Sequence, residues 1–293
     1  MTLRIAVTAG DPRGIGPEII MKALADPRVG GRSDLVIVGP SGAGLEPDVV
    51  VGEWNSAGNA AAAGKLAGLA IERAVELAMA GEVSGIVTAP IDKAALLAGG
   101  YDYPGHTEML AALTNSSVAM MLASEKLRVV LATTHIPLRD VVDSVTEDLI
   151  VATAAITRNA LTKWFAVADP RIALCALNPH AGDGGRFGSE DDDILTPAAR
   201  RAQIAGPFPA DTVFVRAIRG QFDAVIAPYH DVGMTAIKVA SFGSAVNVTL
   251  GLPFPRTSPD HGTALDIAGR GIADPSSFIE ALLLCRRIAA LAP

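Results

Sequence analysis

All five histidines of this chain lie in short segments rich in Gly, Pro, Asp or Thr: His106 in YPGHTEM, His135 in TTHIPLRD, His180 in LNPHAGDGGRFGSED, His230 in APYHDVGM and His261 in TSPDHGTALD. None falls in the apolar stripe of a predicted helix, where a packed structural histidine would be expected. Histidine is the commonest metal ligand and the side chain most easily poised near neutral pH. The distribution therefore predicts that these side chains do chemistry.

Three of these histidines could bind one metal ion. His135, His180 and His230, completed by water or substrate, would form an open three-nitrogen site. Asp231, next to His230, could add an oxygen ligand or orient the imidazole ring. The three histidines are widely separated in sequence, so three unrelated surface histidines remain an alternative interpretation.

Further polar residues and loops could bind an anion. Lys238, Asn247 and Arg256 lie in or near a predicted apolar strand, and the two cations could clamp a phosphate or carboxylate. Each could equally be a surface charge or a core hydrogen-bonding group. The glycine-rich residues 178–190 indicate close approach to a ligand or a second chain, or else a flexible excursion. Residues 10–16, GDPRGIG, precede a predicted helix and could hold an anion, although they match neither a Rossmann fingerprint nor a P-loop.

The elements that must position these residues alternate between strand and helix. Strands are predicted at 3–8, 34–38, 85–89, 118–123, 127–133, 171–176, 224–227 and 245–250, and helices at 17–24, 60–80, 146–165, 191–204 and 275–291, the last capped by Asp274. This order is typical of the α/β class with a mainly parallel sheet. His135, His180 and His230 each follow a predicted strand, at the edge where such sheets bind ligands. Since no linker is visible, we expect two domains that share a continuous or interleaved sheet, with a cleft between them.

Composition excludes several classes of protein. The 293 residues are 50% hydrophobic and only 4% aromatic, which predicts a large aliphatic core in one or two domains. The net charge is −7 and no basic run is present, so no nucleic-acid partner is expected. Cys175 and Cys285 form no zinc motif or disulfide framework and are expected to be inert buried thiols. No signal peptide or membrane span is visible, which predicts a cytoplasmic protein without a membrane partner.

Several segments together resemble the 4-hydroxythreonine-4-phosphate dehydrogenase family. They are TAGDPRGIGPEI, APIDKAAL leading to PGHTE, TTHIPLRD, LNPHAGDGGRFGSED, APYHDVGM and the block from Lys238 to Asp274. The resemblance implies an isocitrate/isopropylmalate dehydrogenase-like α/β fold, with two α/β/α domains and a cleft between them, rather than a Rossmann fold. It places residues 1–90 and 245–293 in a dinucleotide-side domain, and residues 91–244 in a metal, substrate and dimerisation domain.

The same resemblance implies roles for individual residues. A divalent metal, zinc first with magnesium, cobalt or another ion as alternatives, would be held between the subunits of a homodimer by His135, His180 and His230. A small phosphorylated hydroxy acid would be bound by His106, Thr107, Lys238, Asn247 and Arg256. Lys238 and Asp231 are the catalytic candidates. The segment DHGTALDIAGRGIADP resembles the adenosine-binding loop of isocitrate and isopropylmalate dehydrogenases, which implies NAD or NADP binding by His261, Gly262 and Asp266.

The activity implied by the resemblance is the NAD- and metal-dependent oxidation of 4-phosphooxy-L-threonine. The product, 2-amino-3-oxo-4-phosphooxybutanoate, decarboxylates to 3-amino-2-oxopropyl phosphate. Two features depart from the family pattern: the stretch at 40–58 is shorter than expected, and GDP replaces the more usual GEP. The GDP variant also appears in paralogues that oxidise 4-phospho-D-erythronate, D-threonate phosphate or a dihydrodiol. The retained GHTE motif favours a phosphorylated substrate. A metal-dependent hydrolase and a non-catalytic phosphate-ester binder remain further alternatives.

Overall fold

The computed structural model describes residues 3–241 and 243–292, which form two compact units. The first unit comprises the chain through Ser117 together with the chain from Leu252 onward, and the second comprises Val118–Gly251. The division that the sequence predicted, after residues 90 and 244, concerns functional domains and stays a prediction. Strands and helices are numbered below in chain order.

The first unit is built on parallel strands that run in the order β3–β2–β1–β4–β11. Their bounds are β1 Ile5–Thr8, β2 Leu35–Ser41, β3 Val49–Glu53, β4 Gly85–Thr88 and β11 Arg256–Ser258. The helices of this unit are α1 Gly16–Ala25, α2 Ala60–Met79, α3 Lys93–Ala98, α4 His106–Thr114 and α10 Ser276–Leu291. Every residue of β1 and β4 is buried, as expected for aliphatic parallel strands covered on both faces.

The second unit has a mixed sheet in the order β10–β5–β6–β9–β7–β8. Its strands are β5 Ala119–Ala123, β6 Arg128–Leu131, β7 Ile172–Cys175, β8 Ala205–Phe208, β9 Ala224–Ala227 and β10 Val246–Leu250. Its helices are α5 Leu138–Ser144, α6 Glu147–Phe165, α7 Thr196–Ala202, α8 Ala210–Ile218 and α9 His230–Ala240. The strands β10, β5 and β6 pair antiparallel, whereas β6, β9, β7 and β8 pair parallel. The parallel part therefore brings the carboxyl ends of β6, β9 and β7 to one edge.

The predicted α/β class is confirmed, and each predicted strand has a counterpart in the structure. Several short elements escaped prediction: β3, β8, β11, α3, α4, α5, α8 and α9. Helix α9 was missed because Gly233 interrupts its apolar pattern. A Cβ at Gly233 would lie 2.6 Å from Leu131 Cδ2 and 2.9 Å from Val129 Cγ1, so glycine lets α9 pack directly on β6.

Two helix boundaries differ from the prediction. The predicted helix 191–204 begins with a π-helical turn at Asp191–Leu195, which runs directly into α7, and it ends at Ala202. Asp274 is not the N-cap of α10, since Pro275 holds that position. The Asp274 carboxylate nevertheless accepts hydrogen bonds from Ser276 N at 2.9 Å and Ser276 Oγ at 2.6 Å, so it still binds the first turn.

The cysteines behave as the composition suggested. Cys175 and Cys285 are both buried and free, as predicted, and burial raises the pKa of each thiol to about 12, which favours the protonated form at neutral pH. Within residues 3–241 and 243–292, no helix has the length and apolar character needed to cross a membrane.

Candidate functional site

Two of the candidate metal ligands lie together in the second unit. Strands β6 and β9 are parallel neighbours, with Leu131 opposite Ala227, and they lead to His135 and His230 respectively. Thr133 ties the two segments together, since its Oγ1 donates to the Pro228 carbonyl at 2.7 Å. The two imidazole centroids are 5.6 Å apart. Strand pairing thus explains how residues so distant in sequence become neighbours.

His230 is oriented by the residue that follows it. It is the first residue of α9, not part of a loop as its sequence context suggested, and its Nδ1 lies 2.7 Å from Asp231 Oδ1. A proton on Nδ1 would face this carboxylate and leave the Nε2 lone pair available to a metal, an arrangement common among histidine ligands. The donor set therefore suits a divalent transition metal such as zinc.

The histidine pair lines a small cavity of about 140 Å³ in the second unit. Its wall also includes Tyr229, Asp231 and Thr134. Burial raises the pKa of Tyr229, with smaller contributions from Cys175 and Asp231, so the phenol stays protonated near neutral pH. Tyr229 was not singled out from the sequence, although it stands directly before His230.

His180 lies in the loop after β7 and completes no metal-binding group with this pair within the described residues. Among the residues that the structure describes, no group of three or more His, Cys, Asp or Glu side chains could hold a metal ion. His180 occupies the left-handed region with φ 55°, as do Ala181 at 57° and Asp183 at 46°. Non-glycine residues rarely adopt this conformation, and such strain is concentrated at functional sites.

A buried carboxylate holds the loop that carries His180. Asp191 is 1% exposed, and its two oxygens accept hydrogen bonds from Leu177 N and Asn178 N, each at 2.9 Å. The Asn178 side chain in turn donates to Glu190 Oε2 at 2.7 Å. Asp191 stands at the start of the predicted helix 191–204 beside Asp192 and Asp193, and no local pattern distinguished it from these exposed neighbours.

The first unit contains a buried arginine at the candidate anion site. Arg256, in β11, is 1% exposed, and its Nη2 donates to Thr88 Oγ1 at the end of β4. Burial lowers the pKa of Arg256 to about 10, which leaves the guanidinium charged at neutral pH. A buried, charged guanidinium is a strong multiple donor, so this position suits an anionic ligand such as a phosphate or carboxylate.

His106 and Thr107 begin α4 in the same unit. The N-cap is Gly105, so no side chain caps the helix, and helix N-termini favour anions. Burial, together with the nearby Arg256 and Lys93, lowers the pKa of His106 well below its usual value, so the ring is neutral. Its Nε2 is buried and has no hydrogen-bond partner among the described residues. Lys93 was quoted in the APIDKAAL segment but received no role from the sequence.

The remaining substrate candidates lie in the second unit. Lys238 is in the last turn of α9, so its predicted place in or near a strand is wrong. Asn247 lies within β10 as predicted, and its Oδ1 is buried without a hydrogen-bond partner in the described part of the chain. An unsatisfied buried amide oxygen is costly, which favours a donor supplied by a ligand or by water.

The candidate dinucleotide loop joins β11 to α10 and is attached to α1. Lys22 Nζ donates to the carbonyls of Gly271 at 2.9 Å and Ala273 at 2.6 Å, while Glu18 Oε1 accepts from Ala273 N at 2.9 Å. Within the loop, the His261 ring has Nδ1 3.1 Å from Gly262 O and a buried Nε2. Gly262 and Asp266 are exposed.

The glycines of GDPRGIG are explained by close packing. A Cβ at Gly10 would lie 2.3 Å from Pro90 O, and one at Gly14 would lie 2.9 Å from Thr263 O. Ile15 N donates to Thr263 O at 3.0 Å, so this segment supports the loop after β11. The glycines are required for these approaches whether or not an anion binds there.

Proteins of one family are similar to this chain over nearly its whole length. The family model described as pyridoxal phosphate biosynthetic protein PdxA matches residues 43–285. The 4-hydroxythreonine-4-phosphate dehydrogenase of Xanthomonas axonopodis pv. citri is 42% identical, over 99% of each chain. The D-threonate 4-phosphate dehydrogenase of Pectobacterium atrosepticum is also 42% identical, over 99% of this chain and 100% of that one.

Solved structures agree with these relatives. The crystal structure of 4-hydroxythreonine-4-phosphate dehydrogenase from Klebsiella pneumoniae matches with a TM-score of 0.89 and 40% identity, covering 98% of this chain and 99% of that one. A β-decarboxylating dehydrogenase from Thermococcus kodakarensis matches with a TM-score of 0.53 and 15% identity, covering 97% and 83%. The second likeness concerns the fold alone, and it confirms the predicted dehydrogenase-like fold class.

Proposed function

Since the chain belongs to the PdxA family of pyridoxal phosphate biosynthetic proteins, we propose that it oxidises 4-phosphooxy-L-threonine in an NAD- and divalent-metal-dependent reaction. The product would be 2-amino-3-oxo-4-phosphooxybutanoate, which loses CO2 to give 3-amino-2-oxopropyl phosphate. The observation that carries the proposal is the 42% identity, over nearly the whole chain, to a relative named for this substrate. The chain is an oxidoreductase of this family, which argues against the hydrolase and the non-catalytic binder.

The first unit supplies the groups for the substrate phosphate. Arg256 is buried and charged, and His106 and Thr107 stand at an uncapped helix N-terminus. A phosphate at this position would accept hydrogen bonds from the guanidinium and from backbone N–H groups. A neutral His106 can donate one ring hydrogen bond without adding further charge to the site.

The second unit supplies the groups for the metal and for proton transfer. We assign His135 and His230 as ligands from one subunit, with Asp231 orienting the His230 ring, and His180 as the ligand from the other subunit of a homodimer. When bound, the metal would supply Lewis-acid polarisation of the substrate hydroxyl, and NAD would supply the hydride acceptor. Lys238 is the proposed proton acceptor and Asn247 a substrate contact. Zinc fits these nitrogen donors best, with cobalt or magnesium as alternatives.

The dinucleotide is assigned to the loop that follows β11. Its exposed Gly262 and Asp266 are available to the adenosine end of NAD or NADP, and His261 shapes the beginning of the loop. We further propose that the enzyme acts in the cytoplasm.

D-threonate 4-phosphate, or the related erythronate ester, is the second candidate substrate. It is favoured by the relative of that name, which is as similar to this chain as the first, at 42% identity. The two substrates share a 4-phosphate and differ at C2, where an amino group replaces a hydroxyl. The residues of the first unit that are proposed to bind phosphate would accept either substrate.

A single assay separates these candidates. Purified protein is incubated with NAD or NADP, a divalent metal and a panel of 4-phosphorylated four-carbon acids, and reduced nicotinamide is followed at 340 nm. We expect the highest kcat/KM with 4-phosphooxy-L-threonine. A higher kcat/KM with D-threonate 4-phosphate would favour the second candidate substrate. If no member of the panel reduced the nicotinamide, both candidate activities would be refuted.

A further inference from the structure

We propose that Thr88 is a positioning residue that fixes the guanidinium of Arg256 for phosphate binding. The inference rests on the proposed function, because it takes Arg256 as the phosphate ligand, and it goes beyond that function by assigning a residue that does not touch the substrate. The anion site would then depend on a hydroxyl buried beneath it.

The sheet places Thr88 and Arg256 on one face. Arg256 is the register partner of Ile86 in the parallel β11–β4 pair, and Thr88 lies two residues further along β4. Side chains two apart on a strand point to the same face. The Thr88 hydroxyl is thereby within reach of Arg256, and it accepts the hydrogen bond from Nη2.

Both partners of this hydrogen bond are buried, so its loss cannot be offset by water. Thr88 and Arg256 are each 1% exposed, so water does not replace the hydroxyl if it is removed. The guanidinium is planar and rigid, so a hydrogen bond at Nη2 restricts the direction of its other N–H groups. Hydrogen bonds to charged groups are stronger than those between neutral groups.

The same sheet offers a matched control in Thr8. Thr8 is the register partner of Thr88 in the β1–β4 pair, lies on the same face and is also 1% exposed. Its Oγ1, however, has no hydrogen-bond partner among the described residues. The two threonines therefore share residue type, strand position and burial, and they differ in their contact with Arg256.

The test compares Thr88→Val with Thr8→Val. Thr88→Ser shows whether a hydroxyl alone restores binding, and Arg256→Gln shows how much phosphate affinity is lost when the guanidinium itself is removed. Valine keeps the shape of threonine and removes the acceptor, whereas serine keeps the hydroxyl. Two quantities are measured: the Kd of inorganic phosphate by calorimetry, and KM and kcat for the phosphorylated substrate. Thr88→Val should weaken phosphate binding and raise KM about tenfold, with a smaller change in kcat. Thr8→Val and Thr88→Ser should stay near wild type.

The outcomes separate this inference from the proposed function. Phosphate binding needs no turnover, so it tests Thr88 even if no substrate of the panel is oxidised. Equal phosphate affinity in Thr88→Val and Thr8→Val would overturn the inference, as would unchanged affinity in Arg256→Gln. If Thr88→Val does not fold, Thr88→Ala and Thr88→Ser form a second pair that differs only in the hydroxyl. Equal affinity in that pair would overturn the inference as well.

Discussion

At the scale of single residues, the neutral His106 makes stability depend on pH. Burial, Arg256 and Lys93 hold its folded-state pKa well below the value of about 6.5 expected in the unfolded chain. Below pH about 6.5, His106 is therefore protonated in the unfolded state but stays neutral in the folded state. The stability contributed by the neutral ring is complete above this pH and is lost as the pH falls.

His106→Asn should flatten this dependence. Wild-type protein should lose up to about 1.4 kcal/mol of unfolding free energy per pH unit below pH about 6.5 through this one group, and the variant should lack that component. Urea unfolding of both proteins between pH 5 and pH 7.5 measures the difference. Parallel curves for the two proteins would contradict a depressed pKa at His106.

Residue types and spacing revealed His135 and His230 as candidates, but they could not reveal Thr88 or Asp191. The histidines were found because metal-binding side chains near strand ends are rare and conspicuous. Thr88 acts only through the register of β4 with β11, and a buried threonine in a strand is ordinary. Asp191 is distinguished from Asp192 and Asp193 by burial alone, which no local pattern encodes.

At the scale of elements, Asp191 holds the loop that presents His180. Asp191→Asn retains one acceptor but turns an N–H group toward Leu177 N or Asn178 N. We expect a loss of about 1–3 kcal/mol in unfolding free energy and a weaker metal site. Calorimetric titration with Zn²⁺ and urea unfolding measure the two effects. Asp192→Asn, at the exposed neighbour, is the control, and identical behaviour of the two variants would refute the role of Asp191.

The attachment of α1 to the loop after β11 also holds a candidate binding loop in place. Lys22→Met removes hydrogen bonds to Gly271 O and Ala273 O, so the loop should become more mobile. We expect KM for NAD to rise several-fold with little change in KM for the phosphorylated substrate, and faster amide exchange in residues 262–273. Lys65→Met, at an exposed lysine of α2, provides the control. An unchanged KM for NAD would contradict a role of this loop attachment in cofactor binding.

The length of an element decided whether the sequence could predict it. Helices α2 and α6 have several turns and the aliphatic strands are continuous apolar runs, so their sequence patterns could be recognised. Helices α4 and α9 begin at His106 and His230, and their Gly and Pro neighbours indicated loops. Their existence depends on packing against the sheet, as the contact of Gly233 with Leu131 illustrates.

At the scale of the whole molecule, the question is how many subunits contribute ligands to one metal site formed by His135, His180 and His230. Within one chain, the described residues form no three-ligand site, whereas a catalytic zinc typically has three protein ligands. A homodimer in which each site takes His135 and His230 from one subunit and His180 from the other would complete two equivalent sites. Loss of any one histidine would then inactivate both sites of a homodimer.

Mixing two inactive variants tests this arrangement. A heterodimer of His180→Ala and His230→Ala subunits would contain one site built entirely from intact histidines, and one site that lacks both. Random reassociation produces heterodimers as about half of the dimers, so the mixture should recover about one quarter of wild-type activity and of bound Zn²⁺. Mixing His135→Ala with His230→Ala is the control, because both substitutions fall on the same side of the site and no intact site can form. Recovery in neither mixture would mean that the three histidines serve one site from a single chain, and equal recovery in both would mean that His135 and His230 belong to different sites.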